Sequence, residues 1–374
     1  MTSRALLCDL GGTRIRFCLE GSTPLDLQEL DWQHVRNFSK NPKAFVNAIA
    51  WYVDAKKIET KGRQLRLSLP CDVVNDHYSF DNLNSNWAFI GKSIKNEFGF
   101  SEIYAMNDAV AAFFGMFELM GDYAQNKTQH FQLLQTGEPH PNGRVVLLCP
   151  GTGLGAVGAH RNFNESQTQS INCGSFVPIP SEFGSTRGDW GNAVIDKVVL
   201  EYRNNNDAHG EIMKLMTVNY DHPDDDQFDR REFIVSGPGI LRLYRYLRTQ
   251  HNDPPLPLES EKNDWSTPEG IVRMALGLPV LDLALDAKCC REAMALFCHG
   301  LARAVADFGK TFTACGGIFL AGSILSAIGA EGLVQFGFLD ALHKKVNDSD
   351  YSKNVPIYLL HHKNPELVGL SRFA

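Results

Sequence analysis

Apolar residues fall along this chain in short bursts, set between polar stretches rich in Asn, Asp and Pro. The bursts at 5–10, 15–19, 65–69, 103–106, 145–149, 154–159, 318–321 and 357–360 are too short for buried helices, and each predicts a strand. Helix-period segments lie between them. Ala109–Met120 is apolar and follows Asp108, a residue type that caps helix N-termini by accepting from unpaired backbone N–H groups. From Ala287 to Phe312, apolar residues at 290, 294, 297, 298, 301, 305, 308 and 312 make one helical face. Strands alternating with helices predict an α/β architecture. The polar segments Gly121–Gly143, Tyr202–Arg231 and "QHNDPPLPLESEKNDW" read as surface loops and insertions. At 374 residues the chain exceeds one typical domain, so two lobes are expected.

One pattern occurs twice. "LLCDLGGTRIRF" (6–17) and "LLCPGTGLGAVG" (147–158) are both apolar runs that end in a Gly-Thr turn and then turn apolar again. A glycine turn leaving a strand lets backbone N–H groups approach an anion, and threonine adds a hydroxyl donor. Gly11, Gly12 and Thr13, with Gly151, Thr152 and Gly153, are therefore candidate phosphate ligands. Either turn alone reads equally well as an ordinary hairpin; two in matching contexts favour one nucleotide held from both sides. Asp9 stands at a strand end just before the glycines, where a carboxylate suits a Mg²⁺ ion that bridges phosphates.

Three other glycine patterns compete. "GLGAVG" (153–158) fits a dinucleotide fingerprint, but a strand-like segment follows it instead of a helix. "AVADFGKT" (304–311) approaches a P-loop, yet it lacks the first glycine and sits within the amphipathic helix. "SGPG" (236–239) precedes a helical run and is open between a helix–helix turn and a ligand loop.

Charge and composition narrow the partners. Net charge is −7, with 44% hydrophobic and 21% charged residues, and no basic face forms that would bind nucleic acid or anionic lipid. No 18-residue apolar run predicts a membrane span. The opening "MTSRALLCDLGG" does not read as a secretory signal, nor the closing "SRFA" as an address. Nine cysteines without a CxxC pair read as reduced core thiols. The expectation is a cytoplasmic protein with a small-molecule partner, no nucleic acid and no membrane.

The motifs together resemble the bacterial-type glucokinases, within the superfamily of sugar kinases, actin and chaperone ATPases. "DLGGTRIR" resembles its first phosphate motif, "PGTGLG" its second, and "GGIFLAGSI" (316–324) its adenosine motif. "LNSNWAF", "AMNDAVAA", "SGPGILRLYR", "CCREAMALFC" and "VPIYLLHHKNPELVGL" resemble glucokinase segments, in the family's order. The resemblance implies a two-lobed actin-like ATPase fold, made of duplicated ribonuclease H-like domains with a cleft between them. Residues 1–110 with about 362–374 would form the small lobe and 111–361 the large one, with hinges near 110 and near the C-terminus. It implies ATP-dependent phosphorylation of glucose at the 6-hydroxyl, with Mg²⁺, in a homodimer. Asp108 matches the general base; its other reading is a helix cap. Asn84, Asn107, Glu182 and Glu232 match ligands of the sugar hydroxyls, and Gly322 and Ser323 lie in the adenosine motif. Asp9 would orient Mg²⁺, directly or through water.

Two positions depart from the family pattern. Where the family has Glu-x-x-His, the fourth residue is Ser185, so a water or Thr186 would have to replace the imidazole, or sugar selectivity changes. Ser323 stands where a second glycine is usual. The Cys/His zinc cluster of the repressor-type sugar kinases is absent. The alternatives are a kinase for mannose, fructose or glucosamine, and a sugar-binding sensor without turnover.

Overall fold

The central apolar bursts become strands that bury their side chains on both sheet faces. Leu6–Leu10 is buried along its whole length and Val145–Pro150 nearly so, as expected of central strands. A computed structural model describes residues 4–11, 15–21, 28–30, 41, 43–71, 73, 75–80, 87–121, 130–140, 142–161, 176–204, 230–251, 267–278, 287–345 and 354–372. The elements in chain order are β1 (Leu6–Leu10), β2 (Ile15–Leu19), β3 (Gln28–Leu30), α1 (Ala44–Lys56), β4 (Gln64–Leu69), β5 (His77–Tyr78), β6 (Phe89–Ile90), α2 (Gly91–Phe98), β7 (Glu102–Asn107) and α3 (Asp108–Gly121). Then come β8 (Phe131–Gln135), β9 (Val145–Pro150), β10 (Leu154–Arg161), β11 (Phe176–Ser181), a 3-10 turn at Glu182–Ser185 and α4 (Ala193–Asn204). A second 3-10 turn, Arg231–Phe233, leads into α5 (Gly237–Gln250), α6 (Pro268–Ala275), α7 (Ala287–Phe312), β12 (Gly317–Leu320), α8 (Ser323–Gln335), α9 (Phe338–Lys345), β13 (Ile357–Leu360) and α10 (Pro365–Ser371).

The repeated sequence pattern is a repeated topology. One sheet runs β3-β2-β1-β4-β7, the other β11-β10-β9-β12-β13-β8. In both, an antiparallel trio is followed by two parallel strands: β1 pairs antiparallel with β2 and parallel with β4, and β9 does the same with β10 and β12. The two glycine turns are the β1–β2 and β9–β10 hairpins, and so occupy equivalent places.

β8 corrects the reading of 121–143 as loop. "FQLLQ" carries only partial burial and adds antiparallel to β13 at the sheet edge, where an apolar run is not required. Residues 122–129 and 205–229 of the expected loops lie outside the described residues. β11, with Pro178 and Pro180, is the opposite edge, where missing N–H groups are tolerated.

Phe17, Phe45, Tyr52 and Trp87 pack one core under the first sheet, and α7 anchors the larger core behind the second. α3 touches both sides. Phe113 and Phe117 pack on the second sheet's Val145, Leu147 and Phe319, whereas Ala111 packs with Leu7, Met106 and α10's Leu367 and Leu370. α3 and α10 cross at glycines: a Cβ on Gly369 would lie 1.9 Å from the Ala111 carbonyl oxygen, and one on Gly115 equally near that of Pro365. Arg66, 4% exposed, fastens α10's end by donating to the Leu370 and Ser371 carbonyls while pairing with Glu20.

Candidate functional site

The strand ends carry the chemistry. In the first hairpin, Leu10 faces Ile15 and Gly11 follows β1; Gly12 and Thr13 lie outside the described residues. Asp9 is 2% exposed, and its neighbours across both strand pairings satisfy it. Arg16 Nη1 donates to Oδ2 at 2.7 Å, and Ser68 Oγ donates to Oδ1 at 2.7 Å. With both oxygens engaged, one of them by a guanidinium, Asp9 does not suit direct metal ligation. The donor set fits an outer role, reached through water. Among the described residues no cluster of three or more His, Cys, Asp or Glu side chains is arranged to hold a metal ion.

In the second hairpin, Leu154 faces Pro150, so Gly151, Thr152 and Gly153 form the turn, closed by the Gly151 amide donating to the Gly153 carbonyl at 2.8 Å. "SGPG" braces this turn. Ser236 caps α5 by accepting from the Gly239 amide, and the Gly237 amide donates to the Gly151 carbonyl at 2.8 Å. Gly322 begins α8 at φ +112°, a backbone that disfavours any side chain, and a Cβ there would lie 2.9 Å from the Pro150 carbonyl oxygen. Gly237 also lies against Pro268 of α6 and Ile324 of α8. The starts of α5, α6 and α8 therefore meet beside the second turn, with Ser323 exposed there. The sequence left "SGPG" open; its serine three residues before an amide it caps was the available signal.

The carboxylates assigned to the sugar stand close to this turn. A Cβ on Gly153 would lie 2.7 Å from Glu232 Oε2, and one on Gly184 at 3.3 Å from the same atom. Glu232 thus fills the space between the β9–β10 turn and the 3-10 turn that Glu182 opens. Arg231 fixes the pair of segments: it donates to Thr186 Oγ1, to the Arg187 carbonyl and to Asp307, and lies over the Phe183 ring. The Thr186 hydroxyl also donates to the Phe183 carbonyl at 2.7 Å. With its proton and a lone pair committed, Thr186 does not replace the imidazole missing at Ser185, which corrects that option. Asn84 lies outside the described residues.

Asp108 begins α3, half-buried, at the end of β7. The Ala109 amide donates to Asp108 Oδ1 at 2.7 Å and to Asn107 Oδ1 at 3.0 Å, so both side chains cap the helix. Capping leaves Asp108 Oδ2 outside that bond, and base and cap are compatible roles. A Cβ on Gly155 would lie 3.3 Å from the Ala109 Cβ, which puts α3's first residues against the strand leaving the second turn.

Glu366, in the first turn of α10, was not singled out from the sequence. Burial first, then the negative charge of Asp9, pushes its carboxyl up to about 8, with Arg16 and its own amide opposing and Asp108 adding to the rise. Cys149, at the end of β9, is raised by burial and then by the charges of Glu366 and Asp108. The eight described cysteines are free thiols, and burial raises Cys8 and Cys298 as core positions would. No single described helix is long and apolar enough to cross a membrane.

Known proteins are similar to this chain in sequence and fold. The family model described as Glucokinase matches residues 6–176 and 204–374. A glucokinase of Saccharophagus degradans is 26% identical over 366 residues, spanning 97% of this chain and 96% of that protein. A Balamuthia mandrillaris glucokinase structure in complex with glucose superposes with a TM-score of 0.68 at 18% identity, covering 99% of this chain and 92% of that one. A ROK family glucokinase from Streptomyces griseus, in complex with glucose and AMPPNP, gives 0.59 at 15%, covering 100% and 99%. These likenesses show the fold as the two-lobed actin-like ATPase type.

Proposed function

The chain belongs to the glucokinase family, and from that membership we propose that it transfers the γ-phosphoryl group of ATP to the 6-hydroxyl of glucose, giving glucose 6-phosphate. The observation that carries the reading is the convergence of three parts: the Asp108 carboxylate at the start of α3, the glycine turn 151–153 beside it, and the Glu232 carboxylate against Gly153.

Phosphoryl transfer asks a protein mainly for alignment and charge stabilisation. Asp108 accepts the proton of the attacking hydroxyl. Asn84, Asn107, Glu182 and Glu232 accept from or donate to the remaining hydroxyls, which must be paired when the sugar is buried. Backbone amides of Gly11–Thr13 and Gly151–Gly153 hold phosphates from two sides, and Gly322 and Ser323 border the adenosine. Asp9 would orient a nucleotide-borne Mg²⁺ through water, and that ion would supply neutralisation of charge on the phosphates.

The small lobe comprises 1–110 with 362–374 and the large lobe 111–361. The packing of α10 on β1 and α3, with Arg66 holding its end, supports that division. Closure of the cleft on sugar excludes water and suppresses ATP hydrolysis. A cytoplasmic homodimer follows from the family resemblance alone, and sedimentation of the purified protein tests the dimer.

A second hexose as preferred substrate is favoured by Ser185, because the neighbouring Thr186 hydroxyl is committed elsewhere. ADP release with Mg²⁺-ATP, against a hexose panel and a sugar-free blank, decides. Release with glucose alone supports glucokinase. Release with another sugar moves the substrate, and no sugar-dependent release overturns the kinase.

A further inference from the structure

The two glutamates assigned to the sugar ride on separate 3-10 turns, Glu182 directly after β11 and Glu232 shortly before α5. A 3-10 turn has poor hydrogen-bond geometry of its own, so its placement depends on outside contacts. Between these turns the backbone makes one antiparallel bridge, Arg187 with Arg230, and the Arg231 amide donates to the Thr186 carbonyl at 3.0 Å. The Arg231 side chain does the rest. Its Nη1 donates to Thr186 Oγ1 and to the Arg187 carbonyl, and its Nη2 donates to Asp307 Oδ2 at 3.1 Å. The guanidinium carbon lies 4.3 Å from the centroid of the Phe183 ring, inside the turn that Glu182 opens. One planar fork, on the residue next to Glu232, thus grips the Glu182 turn and α7 together. The ion pair is sheltered, with Arg231 12% and Asp307 22% exposed at their side chains.

α7 offers more than one anchor. His299, Arg303 and Asp307 recur every four residues and so share a helix face. His299 Nε2 donates to the Trp190 carbonyl at 3.0 Å, and Arg303 Nη2 donates to Asp189 Oδ2 at 2.8 Å. The opposite face of α7 is buried through Phe297, Leu301, Val305 and Phe308, so the anchors stand on a fixed base. On its other flank the second turn is held by α5 and its cap: Ser236 Oγ donates to the Glu232 carbonyl at 2.6 Å, and Arg242 Nη1 to the Phe233 carbonyl at 2.8 Å.

We propose that Arg231 is a positioning residue for the sugar: it sets the separation of Glu182 and Glu232 by locking both turns to α7, and thereby governs sugar affinity and selectivity. The inference rests on the kinase reading given above and deepens it. The fork suits the task, because a guanidinium donates in several fixed directions at once and an ammonium does not. The phosphate turn 151–153 is braced instead by the Gly237 amide and by Gly322, neither of which depends on Arg231. Sugar and nucleotide affinity should therefore separate when Arg231 is lost.

The test compares full-length Arg231→Met and Arg231→Lys with the wild type. For the hexose that the wild type phosphorylates, Arg231→Met should raise KM by roughly tenfold to a hundredfold, as misplaced contact groups do, with ATP KM unchanged. The ratio of kcat/KM between that hexose and its epimers should fall as well. Arg231→Lys should recover only part of either loss. A lower Tm with hexose KM and epimer ratio unchanged would make Arg231 a purely structural staple and overturn the proposal. Amide exchange followed by mass spectrometry needs no turnover: Arg231→Met should speed exchange about tenfold or more at 183–187 and 230–233, with α7 unchanged. Unchanged exchange in those turns overturns the proposal even where the kinase reading holds. Faster exchange there, in a protein whose wild type shows no hexose-dependent ADP release, supports the clamp and overturns only the kinase reading. If Arg231→Met does not fold, Asp307→Asn removes the α7 end of the clamp and should raise hexose KM about threefold, the scale of one partly sheltered ion pair. An unchanged KM in that variant also overturns the proposal.

Discussion

Before any sugar is bound, the Asp108 carboxylate already accepts the Ala109 amide through Oδ1, an anchor that sets where the other oxygen can point. Asp108→Asn keeps the cap and loses the base. It should lower kcat by roughly 10²–10⁴-fold, the usual worth of a general base, with the sugar Kd nearly unchanged by calorimetry. Equal loss of binding would return Asp108 to a purely structural role. Gly153 is the matching case for Glu232: a methyl group there displaces a carboxylate, not backbone. Gly153→Ala should raise the glucose KM roughly tenfold or more, the size of one charged hydrogen bond, with little change in Tm. Ser185→His should sharpen the preference for glucose over its epimers; an unchanged ratio of kcat/KM values would show that the position does not read the sugar. For Glu366 the pH sign is fixed by its raised value. It binds its proton more tightly folded than unfolded, so its stabilisation is complete below about 4.5 and is lost as pH rises through about 8. Across that window the wild-type Tm should drop relative to Glu366→Gln. Nothing in one sequence marks this residue, because an acidic side chain after a proline is an ordinary helix start.

Among elements, central strands were legible and the edges of the larger sheet were not. The runs at 6–10, 145–149 and 357–360 are apolar because both faces are covered, so periodicity found them. "FQLLQ" and "FVPIPS" lie at the two ends of the larger sheet, where one side is open and the apolar signal is diluted. The long stripe of α7 was read to its ends, since a 26-residue helix repeats its signal many times. The α3–α10 crossing left no such trace; Gly115 and Gly369 read as weak helix positions, and only a partner helix explains them. Gly369→Ala would drive a methyl into the Ala111 carbonyl, with backbone on both sides and no side chain to give way. The cost should be about 3 kcal/mol or more by urea unfolding, at the upper end for overpacking. A change within a few tenths would mean that the helices separate freely.

For the whole molecule, the duplicated hairpins were visible as a sequence echo, whereas the joining of the first sheet to the far end of the chain was expected from the family resemblance and not from the residues themselves. Arg66 makes that joint, with its charge buried among Glu20 and two carbonyls. Arg66→Met strands Glu20 and frees the end of α10. About 3 kcal/mol should be lost, as when one partner of a buried pair is removed, and amide exchange should quicken first in 365–371. The separation between Arg66 and Leu370 is 304 residues, which has a bearing on biosynthesis. While the ribosome works, the N-terminal sheet emerges early but lacks the helix that covers Ala5, Leu7 and Met106. Its apolar underside therefore waits, in need of a chaperone or of transient burial, until residues 365–371 are made. The first lobe to be translated is the last that can finish folding.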